Sequence, residues 1–204
     1  MDTVSTDMVT YCNCMKEVRL RISLVQSILA RSVTVGHVNF DTELVFVQLR
    51  KTLEQVAMAS LAANRRKYSA VFTNFASHWN AQRMLKALEE VNPNFYPVPV
   101  TADLLSTDEK GHGHWHVEYL AGGFLSKDEF VSLYNICGRI LHARNPFDPQ
   151  DPVIQLGYSV EQWVSRIQKL LAMHIVHLVD SDNFVVTIPN EGNVHASTFR
   201  PVDS

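Results

Sequence analysis

Apolar residues recur along the first thirty positions in alternating steps of three and four. Met8, Tyr11, Met15, Val18, Ile22, Val25 and Leu29 form one narrow seam, with Lys16, Glu17, Arg19 and Arg21 placed off it. That spacing predicts an amphipathic helix, opened by the N-capping run Ser5-Thr6-Asp7 and ending near Arg31. Ser32 to Asn39 reads as a connection, and Asp41 or Thr42 can cap a second helix. Leu49, Leu53, Val56, Ser60 and Ala63 carry the face of that helix, which extends towards Tyr68. Small residues at Ala57, Ala59, Ala62 and Ala63 permit close helix contact. A third helix, starting near Ser77, places Met84, Leu85, Leu88 and Val91 on one face and stops at Asn92-Pro93.

The next stretch breaks the period. Pro93, Pro97 and Pro99 fall within Asn92–Val100, which predicts an extended connection rather than a helix or a central strand. The polar run Ser106–His116, with Gly111 and Gly113, reads as a loop or hairpin tip. Helical signals then return. Ser126-Lys-Asp-Glu129 and Ser159-Val-Glu-Gln162 are both capping boxes, in which a serine and a residue three places on satisfy each other's free amides. The first opens a helix through Phe130, Leu133, Tyr134, Cys137, Ile140 and Leu141 to Asn145-Pro146; the second opens one carrying Trp163, Ile167, Leu170 and Leu171. His174–Asp180, Phe184–Pro189 and Val194–Phe199 are strand-like, the first two joined by a turn at Ser181-Asp182-Asn183. The prediction is a mainly α fold: an up-and-down bundle of four to five helices in residues 1–150. Residues 151–204 add a helix and a small antiparallel β-meander as an annex.

Composition narrows the function. The chain has 204 residues, 46% of them hydrophobic, enough to bury a core without staples. Eighteen basic residues against 21 acidic ones give a net charge of −3, which argues against non-specific coating of nucleic acid. Cys12, Cys14 and Cys137 form no disulfide framework. The chain starts with no signal peptide, and Arg50, Lys51 and Glu54 interrupt the longest apolar stretch, so a soluble, cytoplasmic protein with no membrane partner is expected. Walker loops, Gly-x-Gly-x-x-Gly, Gly-x-Ser-x-Gly and His-Glu-x-x-His are all absent.

Three clusters could carry chemistry. His112, His114, His116 and Glu118 alternate, so an extended chain puts all four on one side, where they could hold zinc, nickel or iron; a solvated loop gives the same pattern. Arg139 and His142 are three apart near a helix end, with Arg144 and Asn145 following. Such a cluster caps the last carbonyls, and equally suits phosphate chemistry, a guanidinium holding the phosphate while an imidazole moves a proton. Asn64-Arg65-Arg66-Lys67 is a basic run whose Arg65 and Arg66 are candidates for phosphate or RNA contact.

In the order of its elements, two long antiparallel helices and then a later helix with a polar Arg/His cluster, the chain resembles the HEPN superfamily over roughly residues 7 to 146. Many members of that family are metal-independent ribonucleases of toxin–antitoxin or antiviral modules, and they act as dimers. The resemblance implies a homodimer that needs no cofactor and acts on RNA, with Arg139 and His142 as the catalytic pair and Arg144, Asn145, Arg65 and Arg66 at the substrate. The family motif spaces its Arg and His by four to six residues. Here two residues separate Arg139 from His142, and only Arg31 to His37 meets the family spacing. The alternative is a non-catalytic helical module that binds a protein or a nucleotide; a metal-dependent enzyme built on His112–Glu118 is a third reading.

Overall fold

The computed structural model describes residues 6–71, 80–143, 154–179 and 182–200. Among them are six helices and five strands. Helices α1 (Thr6–Leu29) and α2 (Val38–Ala63) are followed by α3 (Arg65–Val71) and α4 (Ala81–Val91); strands β1 (Val98–Thr107) and β2 (Gly113–Tyr119) precede α5 (Lys127–Leu141) and α6 (Val160–Leu171); β3 (Met173–Val176), β4 (Asn183–Thr187) and β5 (His195–Phe199) complete the chain. The strands form one antiparallel sheet in the order β2-β1-β3-β4-β5. The fold is therefore mixed α/β. The C-terminal meander is present as expected, but it continues into a hairpin that the proline-rich stretch hid.

The α1 seam is buried from Met8 to Val25, with Ile28 rather than Leu29 as its last member. Helix α2 lies antiparallel to it: Arg21 donates to Gln48 Oε1 at 2.7 Å, and Arg65 just beyond α2 reaches back to Asp7 at 3.3 Å. Helix α2 begins four residues before the expected caps. His37 is its N-cap, its Nδ1 accepting from the Asn39 amide, while Asp41 accepts from Thr34 Oγ1 and the Val35 amide, both at 2.7 Å, and closes the interhelical turn. Arg31 ends α1 in the left-handed region (φ 58°), so Arg31 and His37 belong to a turn. At its other end α2 stops at Asn64 instead of running on through Tyr68. Buried Asn64 donates to Ser60 O and accepts from Asn92 Nδ2, which also donates to His177 O, so two asparagines join α2, α4 and the end of β3. Helix α4 starts on an N-cap at Asn80; the expected start near Ser77 lies outside the described residues.

Both capping boxes form as read from the sequence. Glu129 does more than cap. Its carboxylate accepts from the Ser126 amide, from Tyr158 Oη and from the Arg166 guanidinium at 2.5 and 2.7 Å, tying α5 to α6. Against the opposing pull of burial, these hydrogen bonds hold its carboxyl below the usual range. Apolar side chains from α1, α2, α4, α5, α6, β3 and β4 share one continuous core.

Strand β1 corrects the reading of Val98–Val100 as a mere connection. Pro99 is tolerated because its missing N–H falls opposite Leu120, one pair beyond the end of β2, where the Pro99 carbonyl still accepts from the Leu120 amide. With β3 the strand pairs only through Val98↔Ile175 and Pro99↔His174. No helix among the described residues is long and apolar enough to cross a membrane.

The deepest polar contact joins the two ends of the chain. Tyr11 Oη lies 2.8 Å from His174 Nε2, and His174 Nδ1 lies 3.1 Å from Leu171 O, both rings being fully buried. Nδ1–H donates to the carbonyl, so Nε2 accepts from the phenol and the imidazole is neutral. Burial pushes the His174 pKa down to about 4 and the Tyr11 phenol well above its ordinary value. Tyr11→Phe should cost about 1–3 kcal/mol, read by urea unfolding, because Nε2 is left without a donor. Between pH 6.5 and about 4 the unfolded histidine binds the proton that the folded one refuses, so stability falls as pH drops through that window. Unfolding free energy should be about 2 kcal/mol lower at pH 5 than at pH 7 from this group alone, a slope that His174→Asn should remove.

Candidate functional site

Helix α5 presents one buried and one open side. Phe130, Leu133, Ile136 and Cys137 face the core, and burial pushes the Cys137 thiol up to about 12, which rules it out as a nucleophile at neutral pH. Arg139 is exposed on the last turn. The helix ends at Leu141, and His142 is its C-cap with an extended backbone (φ −74°, ψ 134°). The chain straightens only after His142, whose φ is still helical, so His142 stays three positions from Arg139 at the same helix end. Among the described residues neither has a hydrogen-bond or ion-pair partner. Arg144 and Asn145 lie outside the described residues.

A half-buried polar cluster, missed by the sequence reading, sits one turn earlier. Arg50 of α2 donates to Tyr134 Oη at 2.9 Å and to Glu54 Oε1 at 3.2 Å, Tyr134 Oη donates to Glu54 Oε1 at 3.3 Å, and the guanidinium stacks 4.5 Å from the Tyr134 ring centroid. Gly138 makes room for it, since a Cβ there would lie 3.1 Å from Arg50 Nη1. Its signal was an Arg and a Glu four apart in the middle of α2. Arg50, Glu54 and Tyr134 answer one another, so the cluster links α2 to α5.

The basic run after α2 lines a cleft of about 590 Å3 with Asn64, Leu178 and Phe184. Arg66 and Lys67 face it, but Asp7 and Asp182 line it too, and Arg65 is held by Asp7. Asp182 in turn accepts from Arg200 through two bonds of 2.6 Å. The wall is of mixed sign.

The histidine segment forms the tip and outer strand of the β1–β2 hairpin. Asp108 accepts from the Lys110 and His112 amides at 2.8 Å and lies 3.0 Å from His112 Nδ1, so His112 is engaged in the turn. His114, His116 and Glu118 alternate along β2 as expected, and His116 Nε2 lies 3.5 Å from Glu118 Oε1. Among the described residues no three His, Cys, Asp or Glu side chains gather closely enough to hold a metal ion.

No protein-family model matches this chain, and no curated protein or solved structure is significantly similar to it. Residue geometry therefore carries the functional argument. Arg50→Ala should lower stability by about 1 kcal/mol, since Arg50 and Glu54 are each about a third exposed. It should leave any ligand binding at α5 unchanged. Urea unfolding alongside a binding isotherm checks both.

Proposed function

We propose that the chain is a HEPN-like helical module that engages a phosphate of RNA or of a nucleotide at the end of α5, and holds it without cleaving it. One observation carries this reading. Arg139 keeps its guanidinium open to solvent, whereas Arg21, Arg50, Arg65, Arg166 and Arg200 each hold a carboxylate of their own chain. An unpaired guanidinium on the exposed last turn of α5 suits a bidentate hold on an external phosphate. The antiparallel α1–α2 pair with α5 packed on α2 is consistent with the HEPN resemblance. With a net charge of −3 the contact neutralises about one or two phosphates, and binding is weak and salt-sensitive.

A second reading keeps the same two residues and adds cleavage. Its support is that His142 is exposed one helical step from Arg139. The ribose 2′-oxygen would attack phosphorus and lose its proton to one base, while the departing 5′-oxygen takes a proton from an acid; His142 serves in one of these roles and Arg139 steadies the phosphate. Against it, no side chain among the described residues orients the His142 ring, and catalysis depends on such positioning.

Incubation of labelled RNA with the full chain in EDTA separates the two. Fluorescence anisotropy should show binding that Arg139→Glu weakens about tenfold or more, while gels show intact RNA. RNA cut by the wild type and spared by His142→Ala would establish the second reading in place of the first. Neither binding nor cutting would overturn both.

A further inference from the structure

The β1–β2 hairpin leaves the body of the protein as an arm. Beyond Val100 strand β1 pairs only with β2, and from Thr101 onward both strands are exposed apart from half-buried Ala102 and Val117. The arm is amphipathic. Leu104 lies opposite Trp115, Ala102 opposite Val117 and Val100 opposite Tyr119 on one face; Asp103 lies opposite His116 and Thr101 opposite Glu118 on the other. The Trp115 indole lies over Gly113, yet Trp115 and Leu104 remain 52% exposed and Tyr119 62%. Isolated two-stranded hairpins are marginal in water, and an edge that holds neither lysine nor proline is a template for another strand. Strand β2 is such an edge, carrying neither lysine nor proline.

The ladder itself identifies what fits there. The Leu120 amide bonds Pro99 O, so the antiparallel alternation turns the backbone groups of Glu118 and His116 towards β1 and leaves those of Val117 and Trp115 pointing outward. Take a second β2 running antiparallel along this edge, with a two-fold axis at His116, the middle of its seven residues. Outward Trp115 meets outward Val117 of the second copy, and the reverse. His114 falls opposite Glu118 twice, Gly113 opposite Tyr119 twice, and the apolar faces of both arms merge into one. No other axis position pairs all seven residues. An edge that matches itself in hydrogen bonding, in charge and in apolar face is the mark of an isologous contact.

We propose that this protein forms a two-fold dimer through its arms, β2 pairing antiparallel with β2 of a second copy about His116, to make a four-stranded sheet outside the helical body. This assembly is independent of the phosphate reading at α5.

Four variants of the full chain test it. Sedimentation velocity should show a dimer for the wild type. His114→Glu sets Glu against Glu118 of the other copy and should raise the dimer dissociation constant about tenfold; adding Glu118→Lys restores opposite charges and should return it. Oxidation should cross-link His116→Cys across the axis, because directly opposed residues of a non-hydrogen-bonded pair sit within disulfide reach. His114→Cys has the same cysteine count but stands two positions off the axis and should not cross-link. A monomeric wild type would overturn the proposal, leaving the arm to a different protein. So would a dimer indifferent to the charge reversal, or equal cross-linking at positions 114 and 116. Circular dichroism of each variant confirms that the body is folded.

Discussion

One buried imidazole holds the architecture together. His174 follows directly on α6, bonds back to Leu171 O, faces Tyr11 of α1, and stands opposite Pro99 in the β1 ladder and Val186 in the β4 ladder. The first helix, the last helix and both halves of the sheet meet at this ring. Its neutral state is therefore a condition of the fold: a proton on Nε2 would displace the Tyr11 hydrogen bond and set a charge on a fully buried ring. The arrangement also places the arm. Among the described residues β1 joins β3 through Val98 and Pro99, so the hairpin beyond is tied into the sheet at this junction.

The interior is polar at few points, and at nearly all of them donors and acceptors are matched. Glu129 is saturated by Arg166, Tyr158 and the Ser126 amide; Arg50, Glu54 and Tyr134 answer one another; Asn64 and Asn92 close the break between α2 and α3. Thr52 is the exception among the described residues, its hydroxyl buried without a partner. Groups spent on the fold cannot serve a substrate as well. The contacts proposed at Arg139 and His142 and along the outer strand of the arm use groups that the fold leaves at the surface.

Much of this was legible in the sequence where local chemistry and burial agree. The α1 seam, the two capping boxes and the three C-terminal strands follow from spacing alone, because each element has one buried side and a distinct start signal. The arm was illegible for the opposite reason. Its apolar residues alternate correctly at Ala102 and Leu104 and at Trp115, Val117 and Tyr119, but prolines precede them and histidines sit between them. With both faces exposed, no buried stripe stands out from the polar positions. Pro99 argued against a central strand, and only the three-dimensional ladder reveals that its missing donor falls beyond the end of β2. The candidate site was half legible. Arg139 and His142 could be singled out, but the straightening of the backbone at His142 is a property of the helix end. The Arg50–Tyr134 contact spans 84 positions, beyond the reach of any local pattern.

Body and arm consequently answer to different forces. The body is stabilised by a continuous apolar core into which α1, α2, α5 and α6 all reach, so its stability belongs to the chain itself. The arm has no core of its own. Its order rests on one ladder, on the Asp108-centred turn and on the Trp115–Gly113–Leu104 packing, with its apolar face open. Whatever covers that face stabilises the arm by mass action and leaves the body nearly untouched. Order in the hairpin is thereby coupled to concentration through a part of the molecule that the helical core does not need, which makes the arm the natural place for assembly to be gained or lost without unfolding the protein.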